Sequence, residues 1–403
     1  MNRKLTLFCL LLAAALWQSC SPQQAETSTE ALAEKPNIIW INVEDISPAL
    51  GAYGDDFATT PHLDALAAQG VTYQNAFASA PICAPSRSCF ITGVYATSLG
   101  TQHLRSDIPK PDSIKTFPQY LQQEGYFTTN YGKTDFNFSP EGTWNHWKQE
   151  LAPWRQTPEG QPFFSMFVIG GTHEGPANNQ ENYEKFAGSL HDSLLHDPAG
   201  VTVPPYYPDT PEVRRLWAQY YDLITGMDGQ VGKILQNLED DGLMDETIIF
   251  FFSDHGFGMP RYKRWLYSSG LQVPLIIYAP EKYHHLLPES PGSMSQQMVS
   301  FVDFAPSVLQ VAGAEIPGHM QGQPFLGEQL PEEREFIIGA RTRADDMYET
   351  SRAIRTKDFM YIRHYLPHLP YIQPGYIFGD QKLMFKELRR LHLAGELPPE
   401  AEE

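Results

Sequence analysis

Residues 37–45 read NIIWINVED, and this stretch decides the fold class. Its apolar run is rich in β-branched residues and ends in two acids, Glu44 and Asp45, which is typical of a buried parallel strand. Runs of the same kind recur as FTTNYGK at 127–133, PFFSMFVIGG at 162–171 and ETIIFFFSDHG at 246–256. Several buried strands of this kind predict one large sheet.

Helical stretches alternate with these strands. TPHLDALAAQG at 60–70 has proline early and glycine at its end, as many helices do. Residues 211–242 predict a long amphipathic helix, or two. The alternation predicts an α/β fold with a large, mostly parallel sheet between layers of helices. Shorter strand-like pieces after residue 331 predict a small, apparently incomplete C-terminal α+β subdomain.

The composition excludes some partners. The chain has 403 residues, of which 42% are hydrophobic, so a sizeable core is expected. A formal net charge of -19 argues against binding nucleic acid or an anionic membrane surface through a basic face. The predicted organisation is a signal segment at 1–20, a flexible tether at 21–35, a catalytic domain at 36–331 and a shortened C-terminal subdomain at 332–403.

The first twenty residues are predicted to direct export. Arg3 and Lys4 precede an apolar run, Leu5–Leu16, that is too short to span a bilayer comfortably. The run ends at Ser19–Cys20, which resembles a bacterial lipobox with Cys20 as the lipidated residue. This predicts a protein of the periplasm or outer-membrane surface, in contact with the membrane only through a lipid anchor. Ordinary cleavage, which would leave a free periplasmic protein, is the alternative.

Polar residues follow the ends of the predicted strands, at the edge where open α/β sheets bind ligands. A second polar feature is PICAPSRSCFITG at 81–93, which contains Cys83 and Cys89. A disulfide between them is one reading, but it would close a short loop and so stabilise little. The polar residues at the strand ends are Glu44, Asp45, Lys133, His173, Asp254 and His255.

The cysteine turn resembles a known family. CAPSRSCFITG is similar to the signature of type I, formylglycine-dependent sulfatases of the alkaline phosphatase-like superfamily, and the resemblance extends from residue 36 to about residue 365. VPPYYPDTPEVRRLWAQYYDLITGMD at 203–228 looks most like the heparan N-sulfatase (sulfamidase) branch. The family's usual segment ELYDL–DP–E near the end of the C-terminal subdomain is not found in this chain.

The resemblance implies a mechanism built on residue 83. Cys83 would be oxidised to formylglycine by a formylglycine-generating or anaerobic sulfatase-maturing enzyme, and the hydrated aldehyde would attack sulfur. Arg87 would hold that group, and Cys89 would be a small buried helix residue. Lys133 and Lys263 would bind the sulfate oxygens. His173 would contact sulfate and protonate the leaving atom.

The resemblance also implies one divalent metal, Ca²⁺, held by Glu44, Asp45, Asp254 and His255. Carboxylate oxygens suit calcium, whereas the imidazole would better suit zinc or another transition metal. Asp135 stands where many sulfatases have histidine, so the general acid is left open between His173 and Asp135. The predicted substrate-binding residues are His103, Arg105, Asp135 and Arg264.

The expected function is release of sulfate from sulfated sugars, such as glycosaminoglycan fragments, as O-sulfate or N-sulfate. Two alternatives stay open: a phosphonate or phosphodiester hydrolase of the same superfamily, and a catalytically inactive glycan-binding lipoprotein. Intact Cys83, Arg87, Lys133 and Lys263 argue against loss of the site.

Overall fold

A computed structural model describes residues 35–373 and 377–402. The predicted signal segment at 1–20, with Cys20, and nearly all of the tether at 21–35 lie outside these residues. The strands of the large sheet are β1 (Asn37–Val43), β2 (Gly70–Phe77), β3 (Phe127–Tyr131), β4 (His146–Trp147), β5 (Phe163–Ile169), β6 (Thr247–Ser253), β7 (Leu275–Tyr278) and β8 (Met294–Ser300).

The sheet is mostly parallel, as predicted. Its strand order is β4-β3-β5-β1-β6-β7-β2-β8. β7 runs antiparallel to both of its neighbours, β6 and β2, while the other pairs are parallel. The opening stretch forms β1 near the centre, where Trp40 lies opposite Met166 of β5 and Phe250 of β6.

Helices cover both faces of the sheet. Successive side chains of a strand point to opposite faces, so Trp40 contributes to one core cluster and Ile39 and Ile41 to another. The helices are α1 (Pro61–Ala68), α2 (Cys83–Thr92), α3 (Ala96–Leu99), α4 (Phe117–Gln123), α5 (Glu174–Ala177), α6 (Gln180–Ala187), α7 (Pro211–Asp240), α8 (Ser268–Leu271), α9 (Phe304–Val311), α10 (Ile377–Asp380), α11 (Leu383–Ala394) and α12 (Pro399–Glu402).

The two faces carry different helices. α2, α4 and α9 pack in the cluster with Trp40, whose ring lies 5.7 Å from that of Phe90 and 5.2 Å from that of Phe252. α1 and α7 pack in the cluster with Ile39 and Ile41. The sequence allowed one or two helices at 211–242, and α7 is one helix of 30 residues.

A small antiparallel sheet follows the large one, as predicted for the C-terminal subdomain. It consists of β9 (Ile337–Ala344), β10 (Met347–Arg355) and β11 (Met360–His364), in the order β11-β10-β9. The proposed boundary between residues 331 and 332 stays a prediction. Over residues 35–373 and 377–402, no helix is both long and apolar enough to cross a membrane.

Candidate active site

The predicted polar residues converge where four neighbouring strands end. In the sheet, β3, β5, β1 and β6 lie side by side and run parallel. Because the carboxyl ends of parallel neighbours meet at one edge, side chains far apart in sequence come together there. Glu44 and Asp45 follow β1, Lys133 follows β3, His173 follows β5, and Asp254 and His255 follow β6.

Cys83 enters this edge from the first turn of α2, all of whose ten residues are buried. Its Sγ lies 3.3 Å from Nε2 of His255. Ser86 of the same helix anchors the neighbouring loop by donating its hydroxyl to the backbone oxygen of Asp254 at 2.7 Å. Cys83 and Cys89 are both free thiols, so the structure contains no disulfide between them.

The two thiols differ in their electrostatic surroundings. Burial raises the pKa of Cys83, but the positive charges of Lys263 and Lys133 outweigh this effect and lower it to about 6. Burial raises the pKa of Cys89 to about 12, with only weak compensation by Ser79. Cys83 therefore lies in a cationic environment suited to an anionic group, while Cys89 behaves as an inert core residue.

One group of side chains has the donors for a divalent cation. Single ligand atoms of Asp45, Cys83, Asp254 and His255 all lie within 4.8 Å of one another. Nδ1 of His255 lies 2.9 Å from the Gly256 carbonyl oxygen, a contact that directs Nε2 into the group. Two carboxylates and an imidazole fit a divalent cation, with oxygen favouring calcium and nitrogen favouring a transition metal.

The charges around His255 favour the protonated form of its imidazole. Burial lowers its pKa, but the carboxylates of Asp254 and Asp45 outweigh burial and raise it to about 9. A cation that binds Nε2 would therefore displace a proton.

Glu44 lies apart from the other predicted metal ligands. It groups with Cys83 and His173 instead. Its carboxylate accepts from Nη2 of Arg87 at 3.4 Å and forms an ion pair with Lys133. Three of the four predicted metal ligands thus come together with Cys83, and a ligand role for Glu44 stays a prediction.

Buried cations balance the carboxylates. Nζ of Lys263 donates to the two carboxylate oxygens of Asp45 at 2.8 and 3.1 Å. Nε of Arg87 donates to Oδ2 of Asp254 at 3.1 Å, while its Nη1 is buried and has no hydrogen-bond partner among the described residues. Burial raises the pKa of Asp45, but Lys263 and the neighbouring histidines reverse the effect and hold it below its usual value.

His173 lies beside this cation cluster. Its Nε2 is 3.3 Å from Nζ of Lys263, and its Nδ1 lies 3.2 Å from the backbone nitrogen of Gly175. Burial and Lys263 lower its pKa, but Asp45 and further contacts outweigh them, so the net pKa is raised. A histidine that keeps its proton near neutral pH can serve as a general acid.

The predicted substrate contacts separate into two groups. Asp135 lies at the site, with Oδ2 3.7 Å from Nζ of Lys133. Nη1 of Arg105 lies 3.9 Å from Asp345, in the turn between β9 and β10, and the Arg105 side chain is 61% exposed. His103 forms an isolated backbone bridge with Arg343. These three substrate roles stay predictions.

Arg264 is buried and paired with carboxylates. Its side chain is 2% exposed, and it donates to both carboxylate oxygens of Glu174 at 2.7 and 2.8 Å and to Asp345 at 2.6 Å. Two buried carboxylates thus hold this guanidinium in place, and the substrate role of Arg264 stays a prediction.

A second group of charged side chains lies next to the candidate site, and no sequence pattern indicated it. We call it the buried ionic network, and it consists of Glu174, Arg264, Asp345 and Lys382. Glu174 accepts from Arg264, forms an ion pair with Lys382 and lies 3.4 Å from Lys263. The network therefore connects Lys263 of the candidate site to the C-terminal segment. Its one sequence signal is the position of Glu174 directly after His173. Asp345 and Lys382 lie far away in sequence and stand out in no motif.

The sequence profile of the family described as Sulfatase matches residues 36–149 and 144–314. The chain belongs to the sulfatase family. An ulvan-active sulfatase of Formosa agariphila is 36% identical over 418 residues, which cover 94% of this sulfatase chain and 69% of that protein. Human N-sulphoglucosamine sulphohydrolase is 29% identical over 316 residues, which cover 70% of this chain and 62% of the human protein. The predicted family is confirmed.

Solved structures agree with this fold. A protein in complex with its substrate D-glucosamine-2-N,6-O-disulfate superposes with a TM-score of 0.64 at 22% identity, covering 91% of this sulfatase chain and 97% of that protein. The phosphonate monoester hydrolase of Agrobacterium radiobacter superposes with a TM-score of 0.61 at 17% identity, covering 90% and 96%. At such low sequence identity, these structural similarities show a shared fold and do not identify a substrate.

Proposed function

We propose that this chain hydrolyses sulfate esters or N-sulfates of sulfated sugars through a formylglycine made from Cys83. The observation that carries the proposal is the position of Cys83 at the head of α2, with Lys133 and Lys263 close enough to lower its pKa to about 6. A sulfate group is an anion that repels nucleophiles, so its hydrolysis needs cations fixed around the attacking atom.

The proposed modification converts the CH₂SH group of Cys83 to an aldehyde. The thiol sulfur leaves as sulfide, water supplies the carbonyl oxygen, and two electrons and two protons pass to the oxidant of the maturation enzyme. A second water then hydrates the aldehyde to a geminal diol. In the structure, the sulfur of Cys83 stands where a diol oxygen would lie, next to Nε2 of His255.

The residues of the site have complementary roles in the proposed reaction. One diol oxygen attacks sulfur while Lys133 and Lys263 neutralise the sulfate oxygens, and His173 gives its proton to the leaving oxygen or nitrogen. The second hydroxyl then loses its proton and the aldehyde re-forms, while the bond between Cβ of residue 83 and the oxygen linked to sulfur breaks. Sulfate leaves with that oxygen. Arg87 holds the diol through its otherwise unpartnered Nη1.

We further propose Ca²⁺ as the metal, held by Asp45, Asp254 and His255, with Glu44 as the predicted fourth ligand. When bound, it would polarise the sulfate and stabilise the diol. The carboxylate oxygens support calcium, whereas the imidazole of His255 supports the zinc alternative.

The substrate class rests on the relatives. Their names describe action on ulvan, N-sulphoglucosamine and iduronate 2-sulfate, and we propose fragments of a sulfated polysaccharide for this chain. The chain spans 69% and 62% of the first two relatives, so specificity is part of the proposal. Export and lipidation at Cys20, which the sequence alone supports, would place the enzyme at the periplasm or outer-membrane surface.

The test combines mass spectrometry with sulfate release, using protein produced in a host that matures sulfatases. The peptide containing residue 83 should be lighter by about 18 Da than its unmodified form. The same protein should release sulfate from a sulfated disaccharide, and Cys83→Ala should not. An intact thiol, or turnover of phosphonate esters in preference to sulfate esters, would overturn the proposal. Sulfated-sugar binding without turnover by mature protein would favour the glycan-binding alternative.

A further inference from the structure

A cavity of about 670 Å³ opens between the segment 260–267 and the C-terminal helices α11 and α12. Its volume falls within the range of small-molecule sites, about 300–1,000 Å³. None of the catalytic residues proposed above lines it. Its wall includes Tyr206, Tyr267, Tyr371, Phe385 and Arg261, and we call it the Arg261 cavity.

Arg261 supplies a positive charge that no described residue neutralises. Its guanidinium carbon lies 4.5 Å from the ring centroids of both Tyr206 and Tyr267. No hydrogen bond or ion pair joins that guanidinium to a carboxylate anywhere in the described ranges 35–373 and 377–402. Contacts with ring faces leave the N–H donors at the guanidinium edge available for an anion.

The backbone holds Arg261 in a conformation that side-chain-bearing residues seldom adopt. Its φ is 68°, in the left-handed region. Ser269 donates its hydroxyl to the Arg261 carbonyl oxygen at 2.7 Å and so fixes this turn. Non-glycine residues persist in this region where surrounding contacts impose it, and such positions concentrate at ligand sites. The fold therefore fixes the backbone that carries this side chain, and the rings of Tyr206 and Tyr267 hold the guanidinium.

Stacked aromatic rings form the adjoining wall. Trp265 and Tyr371 have ring centroids 5.2 Å apart and planes 13° apart, and Tyr267 stacks on Tyr371 at 6.0 Å. Phe385 extends the stack from α11, at 6.1 Å from Trp265. The rings stack on one another, so the wall presents their edges to the cavity, and such rigid side chains offer apolar area and polar groups at low entropic cost. A wall of this kind suits the mixed C–H and hydroxyl surface of a sugar ring.

The remaining charged groups of the wall are paired or exposed. Arg389 forms an ion pair with Asp380, and His392 contacts Glu402 at 3.0 Å. Glu400 is exposed to water, where its charge is screened. Arg261 is therefore the charge that selects an occupant of this cavity, and the selected charge is negative.

We propose that the Arg261 cavity binds an acidic sugar unit, through a carboxylate or sulfate on the guanidinium edge of Arg261 and through contacts of the sugar ring with the aromatic wall. This inference rests on the proposed function for the choice of an acidic saccharide over other anions. Arg261 lies two residues from Lys263, so one segment carries both the cavity and the catalytic cation. The occupant is a unit of the polysaccharide being hydrolysed or of a second chain that holds the enzyme on its substrate.

Binding is measured first without turnover. A heparin-derived tetrasaccharide is titrated into Cys83→Ala protein and into the same protein carrying Arg261→Met. We expect the added substitution to weaken binding by about tenfold or more, because it removes a charge-assisted contact. Tyr267→Leu, on the same background, should weaken binding of the same probe. Thermal denaturation of each variant establishes that it is folded.

The matched control is Arg363→Met, since Arg363 also lies over a tyrosine ring, at 4.8 Å from the centroid of Tyr365, but outside the cavity. It should bind the tetrasaccharide like its parent. Equal affinity of the Arg261→Met and parent proteins, with Tyr267→Leu unchanged as well, would overturn the inference. So would absence of tetrasaccharide binding to the parent at millimolar concentration.

Turnover then identifies the source of the sugar. These measurements use protein in which Cys83 is restored. If one saccharide chain fills both the active site and the Arg261 cavity, Arg261→Met should raise KM for the tetrasaccharide and leave KM for a sulfated monosaccharide unchanged. If a second chain fills the cavity, the KM values stay unchanged although binding is lost. If the wild-type protein releases no sulfate but binds the tetrasaccharide in a way that depends on Arg261, the proposed function is rejected. The inference that the cavity binds an acidic sugar then still holds.

Discussion

At the scale of single residues, the site is a set of buried charges of opposite sign. Removing a charge from water is costly unless a partner compensates it. Each carboxylate near Cys83 therefore forms an ion pair with a cationic side chain. The carboxylates are those of Glu44, Asp45 and Asp254, and the cations are those of Arg87, Lys133 and Lys263.

The sequence could predict which residues reach this edge but not every side chain's direction. Residues directly after parallel strands must emerge at one edge, so the places of Asp45, His173 and Asp254 follow from the strand pattern. Lys263 and Arg264 are neighbours, yet one faces the catalytic cluster and the other the buried ionic network. Arg264 has a φ of 83°, in the left-handed region, and no sequence pattern indicated that turn.

His173 gives a prediction for pH dependence. As a general acid it acts in its protonated form, and its raised pKa means that the proton is retained above the ordinary value of 6.5. We expect kcat to stay high through pH 6.5 and to fall as the pH rises through that raised pKa. His173→Gln should lower kcat by about 100-fold or more and remove this alkaline limb.

The measurement is kcat for a sulfated disaccharide between pH 5 and 9, as a rough working range around the histidine pKa. His285→Gln serves as the control, because the His285 side chain is 55% exposed and lies outside the site. An alkaline limb that survives unchanged in His173→Gln would assign the general acid elsewhere, with Asp135 as the next candidate.

At the scale of elements, α7 connects the loops that carry the site. The hydroxyl of its Tyr220 contacts the carbonyl oxygens of Asp45 and Thr172, the latter at 2.9 Å, and accepts from the backbone N–H of Gly258 at 3.0 Å. One side chain thus holds the loops that follow β1, β5 and β6. The long helix positions catalytic loops as well as covering the sheet.

Tyr220→Phe should therefore destabilise the protein and reduce its activity together. Removing the hydroxyl leaves buried backbone groups unpaired, which costs about 1–3 kcal/mol. Urea denaturation should show this loss, and kcat should fall because the loops lose a shared anchor. Tyr361→Phe is the control: Tyr361 is 65% exposed, and its change should stay within about 0.5 kcal/mol. Unchanged stability in Tyr220→Phe would remove this role from α7.

Two strands mark the limit of prediction for elements. β7 forms from the apolar run LIIY, and its antiparallel direction depends on the connection from β6, which returns without a long crossover helix. β8 reads MSQQMVS and was not predicted, because it lies at the edge of the sheet with Met294 partly exposed and lacks a continuous apolar run. Tertiary pairing, rather than local pattern, determines both features.

At the scale of the whole molecule, the buried ionic network joins segments that are far apart in the sequence. Glu174 and Lys382 are 208 residues apart, and Arg264 and Asp345 are 81 apart. Lysines, arginines and acids are ordinary surface residues in most sequences, so contacts over these separations could not be foreseen from composition or motifs. The catalytic edge was predictable because strand ends impose it, and this network was not.

Glu174→Gln should strongly destabilise the protein. Burial raises the pKa of Glu174, but Arg264, Lys263 and Lys382 reverse this and hold it well below 4.5. Removing the charge leaves buried cations uncompensated, at a cost of about 3–5 kcal/mol. Because the folded pKa is lowered, this stability is present above about pH 4.5 and is lost as the pH falls through the lowered pKa.

Urea denaturation of wild type and Glu174→Gln at neutral and acidic pH tests this expectation. Two controls sharpen it. Glu246→Gln removes a carboxylate from a partly exposed ion pair with Lys282 and should cost about 1 kcal/mol or less. Lys382→Met should cost less than Glu174→Gln, because burial lowers the pKa of Lys382 to about 8 and its charge is poorly stabilised. Equal losses in all variants would contradict the network.

Metal removal gives a further prediction for the whole molecule. Chelation should lower Tm, and added Ca²⁺ should restore it, because a ligand that binds only the folded state stabilises it by about 2.7 kcal/mol at a concentration of 100 Kd. Asp45→Asn should abolish the response, while Asp240→Asn, outside the candidate site, should preserve it. Restoration by Zn²⁺ but not by Ca²⁺ would replace the assigned metal.

The burial of Cys83 also determines whether its proposed oxidation comes before or after folding. Its side chain is 4% exposed at the head of a fully buried helix, so a second enzyme cannot reach its β-carbon once the domain has folded. The proposed oxidation must therefore occur before this part of the chain has folded. A chain that folds before its maturation enzyme arrives keeps an unmodified thiol for as long as it stays folded.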